Sequence, residues 1–441
     1  MNKKLNLFDL TSLGVGTIIG AGVFSMMGYG IAYTGRGIVV ALFLAMFLVV
    51  MQSIRYPILA SVFDVEGGMY GLNSLTNPRI FAGFNAASDM LFKIGSQSVT
   101  ALAISQYILV LAPGLEQYSK VVAVLCLTIG YIIAINGDKF AAQVQNIMVL
   151  LMYIALGIFV VYGFMNMDAS AYAGEPMFPN GMGGLIMAIA LMSYTCNGFQ
   201  YVINMGKASK NPKRNIPLAF FLSALIAACI YALIGFAATH AFPYASIAGK
   251  NLGDVAKMMM PTGLHTFFII GGALFALSTS LLGGISSGYR PIQASARDGW
   301  FPAVLAKESK RGTPYVFALL YILGLVPILF GLELSDLVTM SLIPSGLLVA
   351  VANFSAMNVP TRFANEWAES GNKMSAGRYR VLMVSSTIAS IILVTYCFIS
   401  NSLKVATIII TAIIFIYSFM RSKSDKVNIQ VQTEFAANDE K

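Results

Sequence analysis

This chain is poor in charge. Of its 441 residues, 11% are Asp, Glu, Lys or Arg and 57% are hydrophobic. Soluble domains carry about 25% charged residues, so a water-soluble globular protein is excluded. Histidine is nearly absent as well. His240 and His265 flank one polar loop, too few for a metal site or for histidine-based catalysis. The four cysteines, Cys126, Cys196, Cys229 and Cys397, all fall inside apolar segments. None is placed for an extracellular disulfide, and no CxxC pattern occurs. HExxH, GxSxG and the Gly-rich phosphate loop are also missing. These absences argue against an enzyme, and neither catalytic residues, a cofactor nor a bound metal is expected.

What is present is a succession of apolar runs, read as 10–34, 37–62, 81–111, 119–136, 143–165, 183–205, 216–240, 264–289, 314–332, 336–357, 379–400 and 403–420. A bilayer core takes about 20 residues of helix to cross, so these make about twelve spans. The runs are continuous rather than alternating, which excludes a β-barrel. The third and eighth are long enough to tilt. The start, "MNKKLNLFDL", has two lysines but no small-residue cleavage site, so the first apolar run is expected to remain as a span.

The net charge of +9 is distributed by side. With the N-terminus inside, one face collects Arg55, Arg79, Lys139, Lys207, Lys210, Lys213, Arg214, Arg290, Arg297, Lys307, Arg378 and Arg380, among others. The opposite face holds only Arg36, Lys120, Lys250, Lys257 and Lys404. The positive-inside rule then puts both termini in the cytoplasm of a multi-pass protein of the cell (plasma or inner) membrane. This asymmetry accounts for the basic balance through lipid contact and leaves no role for nucleic acid. The polar residues 421–441 read as a disordered cytoplasmic tail.

Two of the runs are not plain spans. The first contains "GVGTIIGAGVF" at 14–24, and the sixth contains Ser193-Tyr194-Thr195-Cys196-Asn197-Gly198 near its middle. Glycine costs about 1 kcal/mol in a helix interior relative to alanine, and irregular backbone survives at membrane depth only where it lines a cavity. Interrupted spans at matching places in two halves point to a transporter's substrate site. Each opens a block of five spans, giving an inverted repeat. A broken helix offers N–H groups on one side and carbonyls on the other. The first suits a carboxylate and the second an ammonium, so a zwitterionic α-amino acid satisfies both. The competing reading is that the glycines, with Gly16 and Gly20 in GxxxG spacing, only permit close helix packing.

The motifs are recognisable at this point. "GVGTIIGAGVF" resembles the first-helix signature of the amino acid–polyamine–organocation transporter superfamily. "EGGMYGLNSLTNP" (66–78), "KNPKRNIPLA" (210–219) and "SARDGWFPAVLAK" with "RGTP" (295–314) resemble that family's later segments, in order along nearly the whole chain. The resemblance implies an all-α polytopic fold, with two inverted five-helix repeats (1–165 and 183–357), broken first and sixth helices, and two further helices at 379–420. It implies one transporter domain over 1–420, followed by the tail 421–441, and alternating access around a midplane site.

By motif position, the amides of Ala21 and Gly22 would hold the carboxylate, and carbonyls of Thr17, Ile18, Tyr194 and Asn197 the amine. Tyr194 would close over substrate, and Gln97 and Ile285 would face its side chain. Gln200 stands where some exchangers carry an inner-gate glutamate, and Met152 where several relatives carry a coupling lysine. Gly283 and Gly284 stand near the second-sodium-site hydroxyls of the wider fold, which argues against a sodium site, although Ser278, Thr279 and Ser280 lie close by.

The expected pocket of Gln97, Cys196, Asn197 and Ile285 contains no carboxylate for a cationic substrate and no cation for an acidic one. Neutral amino acids follow as substrates, and with no lysine in the fifth span, exchange is the expected mode. Proton-coupled symport, amine transport and a transporter-like sensor are the alternatives. Cys196 reads as a small packing residue. Asp89 and Lys93 form an i,i+4 pair inside the third span. They read either as a bracing ion pair or as a gate or proton-coupling element, with Tyr194 and Gln200 the other gate candidates. The sequence does not define an oligomeric state.

Overall fold

The computed structural model describes residues 4–63, 65, 67–112, 114–169, 174–310, 312–331, 334–370, 374–401 and 403–433. Among them the chain is helical throughout its long segments, with isolated β-bridges at Leu5–Ser209 and Glu308–Pro314. Glu66 and Arg311, the first residues of two of the quoted motifs, lie outside the described residues.

The first helix, α1 (Leu7–Ile18), starts on a capping box in which Asn6 Oδ1 accepts from the Asp9 amide at 2.9 Å and Asp9 Oδ2 from the Asn6 amide at 3.0 Å. The reciprocal bonds satisfy two amides that the helix start leaves free. The helix stops where Ile19 turns extended (φ −77°, ψ 101°), and α2 (Ala21–Thr34) resumes after Gly20. Next come α3 (Ile38–Ser53), α4 (Arg55–Val62), α5 (Met69–Thr76), α6 (Arg79–Leu111), α7 (Ser119–Ile135) and α8 (Asp138–Met165). The sixth expected span is α9 (Gly181–Thr195). It breaks at Cys196–Gly198 and continues as a 3₁₀ segment, Phe199–Ala208. The remaining long helices are α10 (Pro212–Ala241), α11 (Phe275–Arg297), α12 (Val316–Phe330), α13 (Leu334–Ser355), α14 (Ala376–Ser400) and α15 (Lys404–Ser422).

Among the described residues ten helices are long and apolar enough to cross a membrane. Two others hold the places of the third and ninth expected spans. The helix α6, 33 residues long, carries Asp89 and Lys93 among other polar residues. The helix α12 has 15 residues, about 22 Å at 1.5 Å per residue, short of a full hydrocarbon crossing. Helix α1 packs on α10 and α11, α9 on α2, and α13 on α6 and α14. The two broken helices therefore lie at the centre, and the last helices flank α6.

The tail corrects an expectation of disorder. Residues 421 and 422 finish α15, and 424–433 dock on the base of the molecule. Val427 and Ile429 are buried. Arg79 donates to the Ser424 carbonyl at 2.8 Å and to that of Val427. The Asn428 amide donates to the Asp298 carbonyl at 2.9 Å and the Gln430 amide to Asp298 Oδ1 at 3.1 Å. Gln432 reaches the Ser74 and Asn77 carbonyls. On the other side of Asp298, Tyr70 donates to Oδ2 at 2.7 Å. Burial and that carboxylate hold the Tyr70 hydroxyl well above its usual range. Polar composition alone reads as solvated chain, but Arg79 and Asp298 supply partners from far away in sequence. Residues 434–441 lie outside the described residues.

Candidate functional site

The two breaks face one another. Gly198 has φ +134°, and a Cβ there would lie 2.5 Å from the Thr17 carbonyl oxygen, so only glycine allows both the turn and the approach. Thr17 Oγ1 lies 3.1 Å from the Gly198 carbonyl. A Cβ on Gly22 would lie 2.6 Å from the Thr195 Cα, so Gly22 also serves as a packing contact between α2 and α9.

Groups freed by the first break are held by other helices. The Tyr231 hydroxyl of α10 lies 2.9 Å from the Ile18 carbonyl and 3.2 Å from that of Thr195, within reach of both breaks. From α11, Thr279 Oγ1 and Ser280 Oγ lie 3.1 and 3.0 Å from the Gly16 carbonyl, and Ser280 Oγ also 3.3 Å from that of Ile19. The N-terminus of α2 has no side-chain cap, leaving the amide end of the first break open to an anion.

The second break is held by its own side chains in addition to the contacts from Thr17 and Tyr231. Asn197 Nδ2 donates to the Ser193 carbonyl at 2.7 Å. Gln200 Nε2 donates to Asn197 Oδ1 at 2.7 Å, and Gln200 Oε1 accepts from the Gly198 amide at 3.0 Å. Gln200 is thus a brace of the turn.

A small cavity lies between the breaks, lined by Thr17, Ile18, Gly22, Phe92, Ser96, Thr100, Tyr194, Thr195, Asn197, Gly198, Gln200, Tyr201 and Ser280. It brings together Thr17, Ile18, Gly22, Tyr194, Asn197 and Gln200 of the expected residues. Ala21 opens α2 beside Gly22.

Three expected residues lie elsewhere. Gln97 is buried and accepts from the Tyr131 hydroxyl of α7 at 2.6 Å. Ile285 points to α7, with its Cδ1 3.1 Å from where a Cβ on Gly130 would be. Cys196 is buried beyond the lining. In their place α6 contributes Phe92, Ser96 and Thr100. Their spacing of four puts them on one helix face, which is the signal that sequence reading missed. Gln97 follows Ser96 by one residue, about 100° around the helix.

Asp89 and Lys93 do not form a hydrogen-bonded pair. Asp89 Oδ2 and Lys93 Nζ are both buried without a hydrogen-bond partner. The Lys93 ammonium instead sits 3.4 Å from the centre of the Tyr201 ring, a cation–π contact, and Gly288 leaves room for its stem. Asp89 lines a second, larger cavity, of about 110 Å³, with Gln52, Ser53, Tyr56 and Asn85. The two cavities share Phe92, Asn197, Gln200 and Tyr201. The carboxylate thought missing from the pocket region is therefore next to it.

The remaining polar candidates are structural. His240 Nδ1 contacts the Phe236 carbonyl at 2.9 Å, and His265 Nε2 the Gly253 carbonyl at 3.1 Å. The four cysteines are free. No group of three or more His, Cys, Asp or Glu able to hold a metal occurs among the described residues.

Paired breaks around a cavity, inside a bundle of membrane-length helices, define a multi-pass membrane protein with the architecture of a carrier. The family model described as amino acid permease matches residues 5–419, and the chain belongs to that family, within the superfamily its motifs resemble. It is 26% identical over 381 residues to the branched-chain amino acid permease BcaP of Bacillus subtilis (strain 168), covering 80% of each chain. It is 25% identical over 327 residues to the methylthioribose transporter of the same organism, covering 69% of each. A vacuolar cationic amino acid transporter 4 of Arabidopsis thaliana is 26% identical over 335 residues, 70% of this chain and 55% of that one. These relatives are transporters, and the chain is a permease rather than an enzyme.

Proposed function

We propose that this permease is a secondary transporter that carries neutral α-amino acids across the cell membrane by alternating access, as an exchanger, with both termini in the cytoplasm. The observation that carries the reading is the facing pair of breaks. In it an uncapped helix N-terminus and the polar turn at Asn197–Gly198 border one cavity. The carboxylate would rest on the Ala21 and Gly22 amides and the ammonium on the oxygens around Thr17 and Asn197. The Ile18 carbonyl, already within reach of Tyr231, is the weakest of the expected amine ligands. In the same reading the twelve spans form repeats at 1–165 and 183–357 and an added pair at 379–420, and Tyr194 closes over substrate.

Relatives are named for branched-chain and for cationic amino acids. The neutral class is favoured here because Lys93 offsets Asp89, so no net negative charge awaits a cation. A panel of amino acids, amines and amino acid esters, scored by thermal stabilisation of the purified protein, tests the site, since ligands that bind the native state stabilise it. Neutral amino acids should stabilise, and esters and decarboxylated amines should not. Equal binding by the amines would overturn the carboxylate assignment.

A second reading, proton-coupled symport, rests on the buried and hydrogen-bond-free Lys93 Nζ. Uptake into proteoliposomes separates the two. Exchange needs internal amino acid and no gradient, whereas symport accumulates substrate from an imposed pH gradient alone. A sodium gradient is expected to drive neither.

A further inference from the structure

Helix α6 carries one polar face past both cavities. Asn85, Asp89, Phe92, Ser96 and Thr100 follow at spacings of four, three, four and four, which align on a helix. Phe92, Ser96 and Thr100 line the cavity between the breaks. Asn85, Asp89 and Phe92 line the larger one beside it. In that larger cavity two polar atoms are buried without a hydrogen-bond partner, the amide nitrogen of Asn85 and Oδ2 of Asp89. Asn85 itself is 5% exposed. One is a donor and the other an acceptor, and they lie one turn apart, about 6 Å along the axis. Buried polar groups are normally paired, so a donor and an acceptor left open side by side describe the ligand that would close them.

We propose that this cavity is the side-chain subsite of the transporter and that it takes a carboxamide, making glutamine the preferred class of substrate. This rests on the amino acid reading above. With the α-carbon of the substrate beside Phe92, Asn197 and Gln200, where the cavities meet, Asp89 is three residues away along α6, about 4.5 Å. That is within reach of a side chain with two methylenes. The amide oxygen accepts from Asn85 Nδ2, and the amide nitrogen donates to Asp89.

Charge selects against the alternatives. Among the described residues Asp89 is the one charged side chain lining the cavity, and the charge facing it from its own helix is Lys93, drawn back onto Tyr201. Asp89 and Lys93 together are neutral. A cationic side chain would therefore leave a net buried positive charge, and a carboxylate would meet Asp89 directly. A branched apolar side chain would leave both open groups unpaired.

The test uses the purified full chain and a ligand series that needs no variant. Affinities are measured for L-glutamine, its near-isostere L-glutamate, L-asparagine, L-leucine and L-arginine. The expected order places glutamine first, about tenfold ahead of leucine and about a hundredfold or more ahead of glutamate, the margins expected from leaving buried polar or charged groups unpaired. Asparagine, one methylene shorter, falls between glutamine and glutamate. The variant Asn85→Leu should lower glutamine affinity about tenfold and raise that of leucine. If leucine or arginine binds as tightly as glutamine in the unaltered protein, the carboxamide subsite is wrong while the amino acid site stands. If no amino acid binds, both are wrong.

Discussion

The first and second breaks serve one cavity but are held in different ways. Carbonyls freed at the first are approached by hydroxyls from two other helices, Tyr231 of α10 and Thr279 and Ser280 of α11. The second is closed chiefly by side chains within three residues of it, Asn197 and Gln200, with Tyr231 and Thr17 reaching its Thr195 and Gly198 carbonyls from outside. A turn tied from outside keeps its place only while its neighbours keep theirs. A turn that caps itself carries its geometry along when it moves. The difference predicts that the first break keeps its place during exchange while the second shifts more.

The largest expected effect comes from the contact between the breaks. Gly22→Leu should abolish amino acid binding and destabilise the protein by about 1–3 kcal/mol, because the side chain runs into the Thr195 backbone. Unchanged ligand affinity would mean that α2 and α9 do not meet as described. Next, Tyr231→Phe leaves the Ile18 and Thr195 carbonyls without that donor, a cost of about 1–3 kcal/mol. Thermal unfolding should show it, and an unshifted midpoint would remove the outside tie from the comparison. Gln200→Leu should cost less stability, about 0.5–1.5 kcal/mol, yet change the exchange rate more than Tyr231→Phe does. The reverse ranking in proteoliposome exchange would exchange the two roles. The smallest effect belongs to Arg79→Gln, which loosens the tail from the base. Hydrogen exchange at α5 should rise with little change in affinity, because α5 meets the second broken helix through Met69 N–H to Asn204 Oδ1 at 2.9 Å, away from the residues lining the cavity between the breaks.

The breaks were legible because their cause is local. Glycine and small polar residues inside an apolar run weaken a helix wherever they stand, and the interruptions fall at Ile19–Gly20 and Cys196–Gly198. Which side of α6 faces the cavity was not legible in the same way. A helix buried on most sides has no solvent face to orient it, and a slip of one residue separates Gln97 from Ser96. Asp89 and Lys93 stood out as charges within a span, but what they face depends on α3, α9 and α11. The tail was misread because its partners, Arg79 and Asp298, are invisible to local composition.

That docked tail also orders the making of the molecule. Arg79 and the Val427 carbonyl it holds are separated by 348 positions. At a synthesis rate of about 5–20 residues per second, Arg79 leaves the ribosome roughly 17–70 s before its partner does. Over that interval the base formed by α5 and the start of α6 must wait incomplete. The final described residues act as a closing stitch, so a chain cut short before Ser424 is expected to insert all its helices and still leave its first-made half unfastened.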